Sequence, residues 1–317
     1  PLTVRNQVIF FLSFCLFLPI FSFAQGPADL IQSFENGMVN WSQGFIEAEG
    51  FTVINYEKYP NPKQAEALAQ RGAVVVAKAN LLEITQGVRI RRETVVKDLM
   101  TESDMITARV EGVVRGAQKY GEAIVADGVV TVMVRMPIYG MNSLASSTQA
   151  ALPNLEANSG YKAKDSEAPT PEEIEAATIE VYRSFATEAG ESPQLFLEKP
   201  TDGTKVQPIL LPKLALDFGP YPIIPSLFPI LVSDSGDVLV DYAQLSGQAG
   251  LNPQAFWQLS PEQIKELQVK KNLQVLQASQ KEPGVITVEL DDDQVAEPAW
   301  QTLLKVSGVY YPVWTGQ

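Results

Sequence analysis

The 317-residue sequence contains no histidine and only one cysteine, Cys15. Without an imidazole, this chain by itself cannot form a Ser-His-Asp triad, a Cys-His dyad, a zincin-type zinc site or a histidine-ligated haem site. The single thiol leaves no disulfide framework. The chemistry that stays open uses carboxylates, a Ser-Lys pair, or Ca²⁺ and Mg²⁺ held by oxygen atoms.

Positive charge is also scarce, because 24 Lys and Arg face 37 Asp and Glu and give a net charge of −13. Such a chain is repelled by phosphate backbones and anionic membrane surfaces, so we expect no nucleic-acid binding. The hydrophobic fraction of 45% is enough to bury a sizeable core. A chain of this length forms two ordinary domains or one large one.

Two common catalytic motifs are missing as well. The sequence has neither the Gly-x-Ser-x-Gly elbow nor a P-loop. Asp104 and Glu111 have the pattern of surface carboxylates. A glycosidase with two paired carboxylates stays open, since it needs only two acids roughly 5–10 Å apart. We therefore expect a protein that is not an enzyme and that carries no cofactor and no metal.

The N-terminal 24 residues have the pattern of a secretory signal peptide. Arg5 precedes an apolar run over residues 8–23, and Ala24 offers a small residue before the expected cut. The run contains Pro19 and is short for a membrane span. We predict cleavage after Ala24, with a retained N-terminal anchor as the alternative.

Cys15 does not have the surroundings of a lipidation site, because Leu12, Ser13 and Phe14 precede it. Lipidation at Cys15 is therefore not expected. A mature chain that begins at Gln25 contains no cysteine, which fits a bacterial periplasm better than a disulfide-rich milieu. The predicted location is the periplasm, and association with the outer membrane is left open.

The first half of the chain has the pattern of one small α+β domain. Residues 39–53 have extended character, and Asn61 and Pro62 begin a run to Gln86 with the three- and four-residue apolar spacing of a long amphipathic helix. Residues 88–100 are a mixed connector. Residues 106–115 alternate apolar and polar side chains, which predicts a half-buried strand.

A hairpin is predicted to complete this domain. Residues 120–125 and 129–136 flank the turn dipeptide Asp127-Gly128. Together these elements predict one long helix on a three-stranded antiparallel sheet.

The second half is expected to form another α+β domain. Capping boxes begin helices at Thr170, to about Glu188, and at Ser260, to about Gln280. Residues 208–229 are rich in proline, which predicts edge strands and packed turns. The other elements expected here are a hairpin over residues 230–240 and strands at 285–290 and 306–313. The predicted organisation is a signal peptide at 1–24, a first domain at 25–140, a linker at 141–170 and a second domain at 171–317.

The first domain resembles the Lpp-twenty family of bacterial envelope lipoproteins, a domain that is also similar to the N-terminal part of a flagellar assembly protein. The residues that carry the resemblance are Asn40, Trp41, Gly44, Ile46, Ala48 and Gly50, then Ala65, Ala69 and Ala73, then residues 79–84, 87–89 and 110–117. The match covers about a third of the chain. Residues 214–239 are also faintly similar to the C-terminal region of some secreted members.

The resemblance implies a dodecin-like fold, with one helix on a three-stranded antiparallel sheet. It also implies export and a role in envelope structure or flagellar assembly, with no established catalytic residues to transfer. Family members are commonly tethered to the outer membrane through a lipidated cysteine. This chain lacks a usable lipidation motif, so the tether is not carried over.

Arg89, Arg91 and Arg92 form the one basic cluster of this acidic chain. They are candidates for contact with an acidic partner face, a phosphate or a lipid headgroup. The alternative is a solvated strand edge whose charges prevent aggregation.

Two aspartate groups and one aromatic group also have both a functional and a structural explanation. Residues 291–293 are three aspartates that could donate oxygens to Ca²⁺, but a solvated loop explains them better. Asp234 and Asp237 are explained by a hairpin turn. Trp41, Phe45, Tyr56 and Tyr59 are explained by packing more readily than by a ligand platform.

The function that these observations favour is that of an exported, non-enzymatic envelope protein that acts by protein contact. The expected partners are envelope proteins or further copies of the chain. The alternative is a periplasmic module that binds a small ligand or a divalent metal, through the proline-rich face of the second domain or through the three aspartates.

Overall fold

A computed structural model describes residues 28–151, 214–219, 221, 223–245, 257–258, 274–290 and 310–314. In these ranges the protein is a mixed α+β structure with a five-stranded sheet, an eight-stranded sheet and a small two-stranded hairpin. The predicted signal peptide, the predicted helix from Thr170 to Glu188 and the aspartates at 291–293 lie outside the described residues.

The described elements follow one another along the chain as strands and short helices around one long helix. The strands are β1 Ala28–Asp29, β2 Ile31–Phe34, β3 Gly37–Asn40, β4 Phe45–Val53, β5 Arg89–Arg91, β6 Thr94–Val95, β7 Gln118–Ala126, β8 Val129–Pro137, β9 Leu214–Asp217, β10 Ile230–Ser233, β11 Val238–Asp241, β12 Trp257–Gln258, β13 Gln274–Glu282, β14 Val285–Val288 and β15 Tyr310–Trp314. The helices are α1 Pro62–Gln86, α2 Val96–Glu102, α3 Asp104–Gly116, α4 Leu144–Thr148 and α5 Tyr242–Leu245. None of the helices within these ranges is long and apolar enough to cross a membrane.

The five-stranded sheet is antiparallel throughout, with the order β2-β3-β4-β8-β7. Strands β4 and β8 pair over nine positions, from Phe45 opposite Pro137 to Val53 opposite Val129. Asp127 and Gly128 both have positive φ, 50° and 73°, as a tight hairpin turn of this hand requires. The predicted hairpin is therefore confirmed.

The predicted long helix is also confirmed, as α1. It begins where the Asn61 side chain accepts a hydrogen bond from the backbone N–H of Gln64 at 3.3 Å, and Pro62 occupies the first turn. The helix packs on β4 and β8. The side chains that it buries recur every four residues and most are small: Ala65, Ala69, Ala73, Ala77 and Leu81. This row lets the helix approach the sheet closely at Gly50.

The prediction of a strand over residues 106–115 is wrong, because Asp104–Gly116 forms helix α3. Its buried residues are Ile106, Val110 and Val114, which are four apart. A spacing of four fits both an alternating strand and one stripe of a helix, so the apolar positions alone did not distinguish the two. Ser103 decides the local structure by capping the helix, since its hydroxyl accepts from the backbone N–H of Ile106 at 3.4 Å.

The eight-stranded sheet is mixed, with the order β1-β12-β15-β9-β13-β14-β10-β11. The predicted hairpin of β10 and β11 is confirmed, and so are the strands near 285 and 310.

The predicted helix that begins at Ser260 does not reach Gln280, because residues 274–282 form strand β13. Strand β9 lies inside the sheet between β15 and β13, although its segment was expected at an edge. The prolines of the segment flank this strand, so they do not interrupt its pairing.

Part of the predicted linker is folded. Helix α4 begins after the six residues that follow β8 and continues into the turn Gln149–Ala151, and Leu144 and Ala145 are buried. The rest of the predicted linker lies outside the described residues. The boundaries proposed for the two domains stay predictions.

One hydrophobic core joins residues from both halves of the sequence. It contains Ile46 and Leu81 of the first sheet and its helix together with Ile286 of the second sheet and Phe228 of the loop before β10. Strand β1 adds a link, because Ala28 and Asp29 pair with Gln258 and Trp257. The two halves are therefore packed against each other in this structure.

Candidate functional site

The basic cluster predicted from the sequence lies where the two halves of the chain meet. Arg91 is 4% exposed, and its guanidinium forms an ion pair with Asp241. Its Nε also donates to the backbone oxygen of Phe228 at 2.9 Å. Arg91 is therefore a bridge within the chain and is not placed to contact an external anion.

The neighbouring arginines are engaged within the chain as well. The Arg89 guanidinium donates to the backbone oxygen of Arg92 and lies 3.6 Å from the Glu93 carboxylate. Arg92 Nε lies 2.9 Å from Glu282 Oε2. Of the three predicted contact residues, Arg91 thus forms a buried ion pair within the chain, and Arg89 and Arg92 form more exposed ion pairs.

Backbone hydrogen bonds hold the same hairpin on the second half. The N–H groups of Leu227 and Phe228 donate to the backbone oxygens of Arg89 and Ile90, at 2.8 and 3.2 Å, and Arg92 N–H donates to the Pro283 oxygen at 2.8 Å. Hairpin β5-β6 is therefore a docking element inside the molecule.

Tyr139 lies at this junction and gives a pH-dependent prediction. Its hydroxyl donates to the Leu227 oxygen at 3.3 Å, and burial raises the pKa of Tyr139 well above its ordinary value of 10.0. In the unfolded chain the phenol ionises near pH 10, so its contribution to stability is complete below that pH and is lost as the pH rises further. We expect this residue to lower the free energy of unfolding by about 1.4 kcal/mol per pH unit above about pH 10. Urea unfolding of the wild type and of Tyr139→Phe at increasing alkaline pH measures this, and equal slopes for the two proteins would contradict it.

One face of the five-stranded sheet carries large apolar side chains that nothing in the described structure covers. The residues of β4 that approach α1 include Gly50, so the alternate positions Phe51 and Val53 lie on the opposite face. On β7, Tyr120 and Ile124 pair with residues of that same face. The exposed fractions of these four side chains, which we call the open face, are 58%, 68%, 52% and 63%.

At one end of the open face, the Arg135 guanidinium lies against two aromatic rings and also pairs with Glu47. The Arg135 guanidinium donates to Glu47 Oε2 from Nε at 2.9 Å and from Nη2 at 2.6 Å. It also lies 3.5 Å from the ring centroid of Phe45 and 3.4 Å from that of Tyr120. This arrangement crosses strands β4, β8 and β7, fixes the orientation of Tyr120 and neutralises the two charges locally.

The edge strands of this sheet are less suited to contact with another chain than the open face is. Edge strand β7 has a register shift between Tyr120 and Ile124, Gly121 has φ +72°, and Lys119 and Glu122 are exposed. Bulges and charges of this kind oppose edge-to-edge pairing. Edge strand β2 is only four residues long. The face, and not an edge, is therefore the candidate interaction surface.

A cavity of about 550 Å³ lies between α2, α3 and the turn that follows α4. Its polar lining is mainly acidic, from Glu93, Asp98 and Glu102. In the part of the chain that the structure describes, no three His, Cys, Asp or Glu side chains converge closely enough to hold a metal ion. Asp234 and Asp237 lie at the β10-β11 turn, where Asp237 accepts from the Ser235 hydroxyl at 2.8 Å.

The sequence drew attention to other aromatic residues than those of the open face. Trp41 and Phe45 are buried, as packing residues are, while Tyr56 is exposed and Tyr59 is half-buried. The alternation of residues 45–53 is the pattern that could have predicted the position of Phe51 on this face. Glu47 and Glu49 lie on the same face as Phe51, so the pattern does not indicate an apolar surface.

The chain was compared with models of known protein families and with curated proteins. Neither the family models nor the curated proteins gave a match.

Proposed function

We propose that this chain is an exported, non-enzymatic envelope protein that acts by protein contact through the open face. The observation that carries the proposal is the grouping of four large, more than half-exposed apolar side chains on one face of the sheet, on the strands β4 and β7 that flank β8. Burying such a surface against a partner is favourable by roughly 25 cal/mol per Å². The largest exposed apolar patch on a typical soluble monomer covers about 300–600 Å² and is often functional.

The rigidity of the surface supports the same function. The open face lies on a sheet whose opposite side is fixed by α1, and the stack of Phe45, Arg135 and Tyr120 orders one end of it. A preorganised surface loses little side-chain entropy when it binds. The geometry therefore suits recognition of a partner.

The envelope setting and the finer fold are part of the proposal. The pattern of residues 1–24 supports export to the periplasm, and the resemblance to the Lpp-twenty family supports a structural or assembly role that includes flagellar assembly. A dodecin-like unit within residues 25–140 is supported by α1 lying across an antiparallel sheet. The two additional strands and helices α2 and α3 depart from the simple dodecin-like plan.

Site-specific photo-cross-linking in cells tests the contact. A photoreactive phenylalanine analogue at position 51, in the open face, is expected to give a discrete cross-linked product in the periplasmic fraction. The matched control is the same analogue at Val75, which is 70% exposed on α1. Because Val75 lies outside the open face, it should give no such product. Equal cross-linking from both positions, or none from position 51, would contradict the proposal.

A further inference from the structure

We infer that the partner of the open face is a protein segment that carries Lys or Arg side chains beside apolar ones. The inference rests on the proposed function and names the chemistry of the partner. It follows from the sign of the charges on and around the open face, and from the area that its apolar side chains offer.

The strand registers place an acidic side chain beside the open face, on the same side of the sheet. Glu49 lies opposite Met133, which in turn lies opposite Tyr120 on β7. The next row across the sheet begins with Phe51 and ends with Ile124. Successive rows on one face of a sheet are roughly 7 Å apart. A partner side chain in contact with Phe51 therefore has a neighbour within reach of the Glu49 carboxylate.

Two further acids lie at the border of the open face. Glu122 lies in the irregular stretch of edge strand β7, and Asp127 lies in the β7-β8 turn, at the end of the sheet where Val53 lies. Both acids and Glu49 are exposed, and their carboxylates form no ion pair within the described ranges of the chain. These three carboxylates are available to a partner.

Positive charge on this side of the sheet is already used. Among the residues that the described registers place there, the one cation is Arg135, and the Glu47 carboxylate neutralises it. Lys119 is exposed on β7, but it lies opposite Val134 and is therefore on the α1 side. The surface around the open face is thus negative, as is the whole chain with its net charge of −13.

This charge selects among the candidate partners. A second copy of this acidic chain, or an anionic lipid surface, would bring further negative charge against Glu49 and be repelled. A segment with Lys or Arg beside apolar side chains covers the apolar patch and pairs with the acids. Charge complementarity of this kind raises the association rate and fixes the orientation of the partner.

The area of the patch determines how much the charged contacts must contribute. The four side chains of the open face are between 52% and 68% exposed, so together they offer on the order of 400 Å². Each partner in a standard interface contributes roughly 800 Å². The surrounding polar residues must supply the rest, as the polar rim of an interface does. We therefore expect weak binding to which apolar and charged contacts both contribute.

Binding of two synthetic peptides to the purified chain tests the inference. Both peptides are amphipathic and have leucine at the same positions, but the polar positions carry lysine in one and glutamate in the other. Fluorescence anisotropy of the labelled lysine peptide should give a Kd on the order of 10–100 µM at about 0.05 M NaCl, and a several-fold higher Kd at about 0.5 M. The glutamate peptide should not bind in this range.

Substitutions test whether the lysine peptide binds at the open face. Phe51→Ser should weaken its binding about tenfold. Glu49→Gln should weaken it about two- to fivefold and reduce its dependence on salt. The matched controls are Glu83→Gln and Val75→Ser, at exposed positions of α1, and neither should change the affinity. Circular dichroism verifies that each variant is folded.

The outcomes separate this inference from the proposed function. Equal affinity for the two peptides, no binding of the lysine peptide, or equal effects of Glu49→Gln and Glu83→Gln overturns the inference. Self-association that Phe51→Ser abolishes also overturns it, because the partner is then a second copy. In each of these cases, cross-links from position 51 leave the proposed function standing. Failure of the lysine peptide to bind, together with no cross-link from position 51, overturns both.

Discussion

Replacing Asp241 with alanine is expected to lower the free energy of unfolding by about 3–5 kcal/mol. The side chains of Asp241 and Arg91 are 6% and 4% exposed, and removal of the carboxylate leaves a buried guanidinium without its counter-charge. The carboxylate also accepts from the Ala243 N–H at 2.9 Å at the start of α5, so that hydrogen bond is lost too. Urea unfolding measures the effect as a shift of the transition midpoint.

Two controls distinguish a buried pair from a general charge effect. The double variant Arg91→Met with Asp241→Leu removes both charges together and should recover most of the loss, because no unpaired charge stays buried. The pair of Arg115 and Glu111 is solvent-exposed, so Arg115→Ala should change stability by less than about 0.5 kcal/mol. A loss below about 1 kcal/mol for Asp241→Ala would mean that the two halves do not depend on this contact.

The Gly50→Ala substitution is expected to cost about 3 kcal/mol. A Cβ atom at Gly50 would lie 2.2 Å from the Ala77 nitrogen and 2.4 Å from the Ala73 oxygen, both in the backbone of α1. A helix backbone cannot rotate away as a side chain can, so α1 must move from the sheet and loosen the packing of its alanine row. Thermal unfolding should show a clear decrease in melting temperature.

The matched control for Gly50 is Gly112 in helix α3. A Cβ atom there has no heavy atom within 4 Å, and the residue is exposed. Alanine is the better helix former, so Gly112→Ala should raise stability by about 0.5–1 kcal/mol. If both substitutions changed stability equally, close packing of α1 on β4 would not be the cause.

Local pattern predicted α1 and the β7-β8 hairpin well. Asn61 and Pro62 mark the start of α1, and the alanines at every fourth position from Ala65 to Ala77 indicate its helical period. The hairpin is encoded by Asp127-Gly128, one of the few dipeptides that adopt two positive φ values readily. In both cases the deciding interactions join residues close together in the sequence.

Helix α3 and strand β13 were predicted as the opposite type of element. The apolar positions of α3 fit both periods, and the capping box at Ser260 indicated a helix that was expected to reach about Gln280. Strand β13 forms because Gln274–Glu282 pairs with β9 on one side and with β14 on the other. Strand β14 follows β13 after only two residues, but β9 lies about 60 residues away in the sequence, and local propensity does not report that pairing.

The candidate site depended on long-range structure in the same way. The basic cluster was visible in the sequence, yet its principal counter-charge, Asp241, is 150 residues away from Arg91. The open face was not visible, because Phe51 and Ile124 come together only when β4, β8 and β7 are aligned.

The sequence by itself determined that this chain has no histidine and one cysteine, that it is acidic, and where the long helix and the β7-β8 turn lie, since each depends on residue type or on near neighbours. Only the tertiary structure decided which charges are buried and which apolar side chains stay exposed. Exposure is a property of what the rest of the chain covers, and that is fixed by contacts between segments far apart in the sequence.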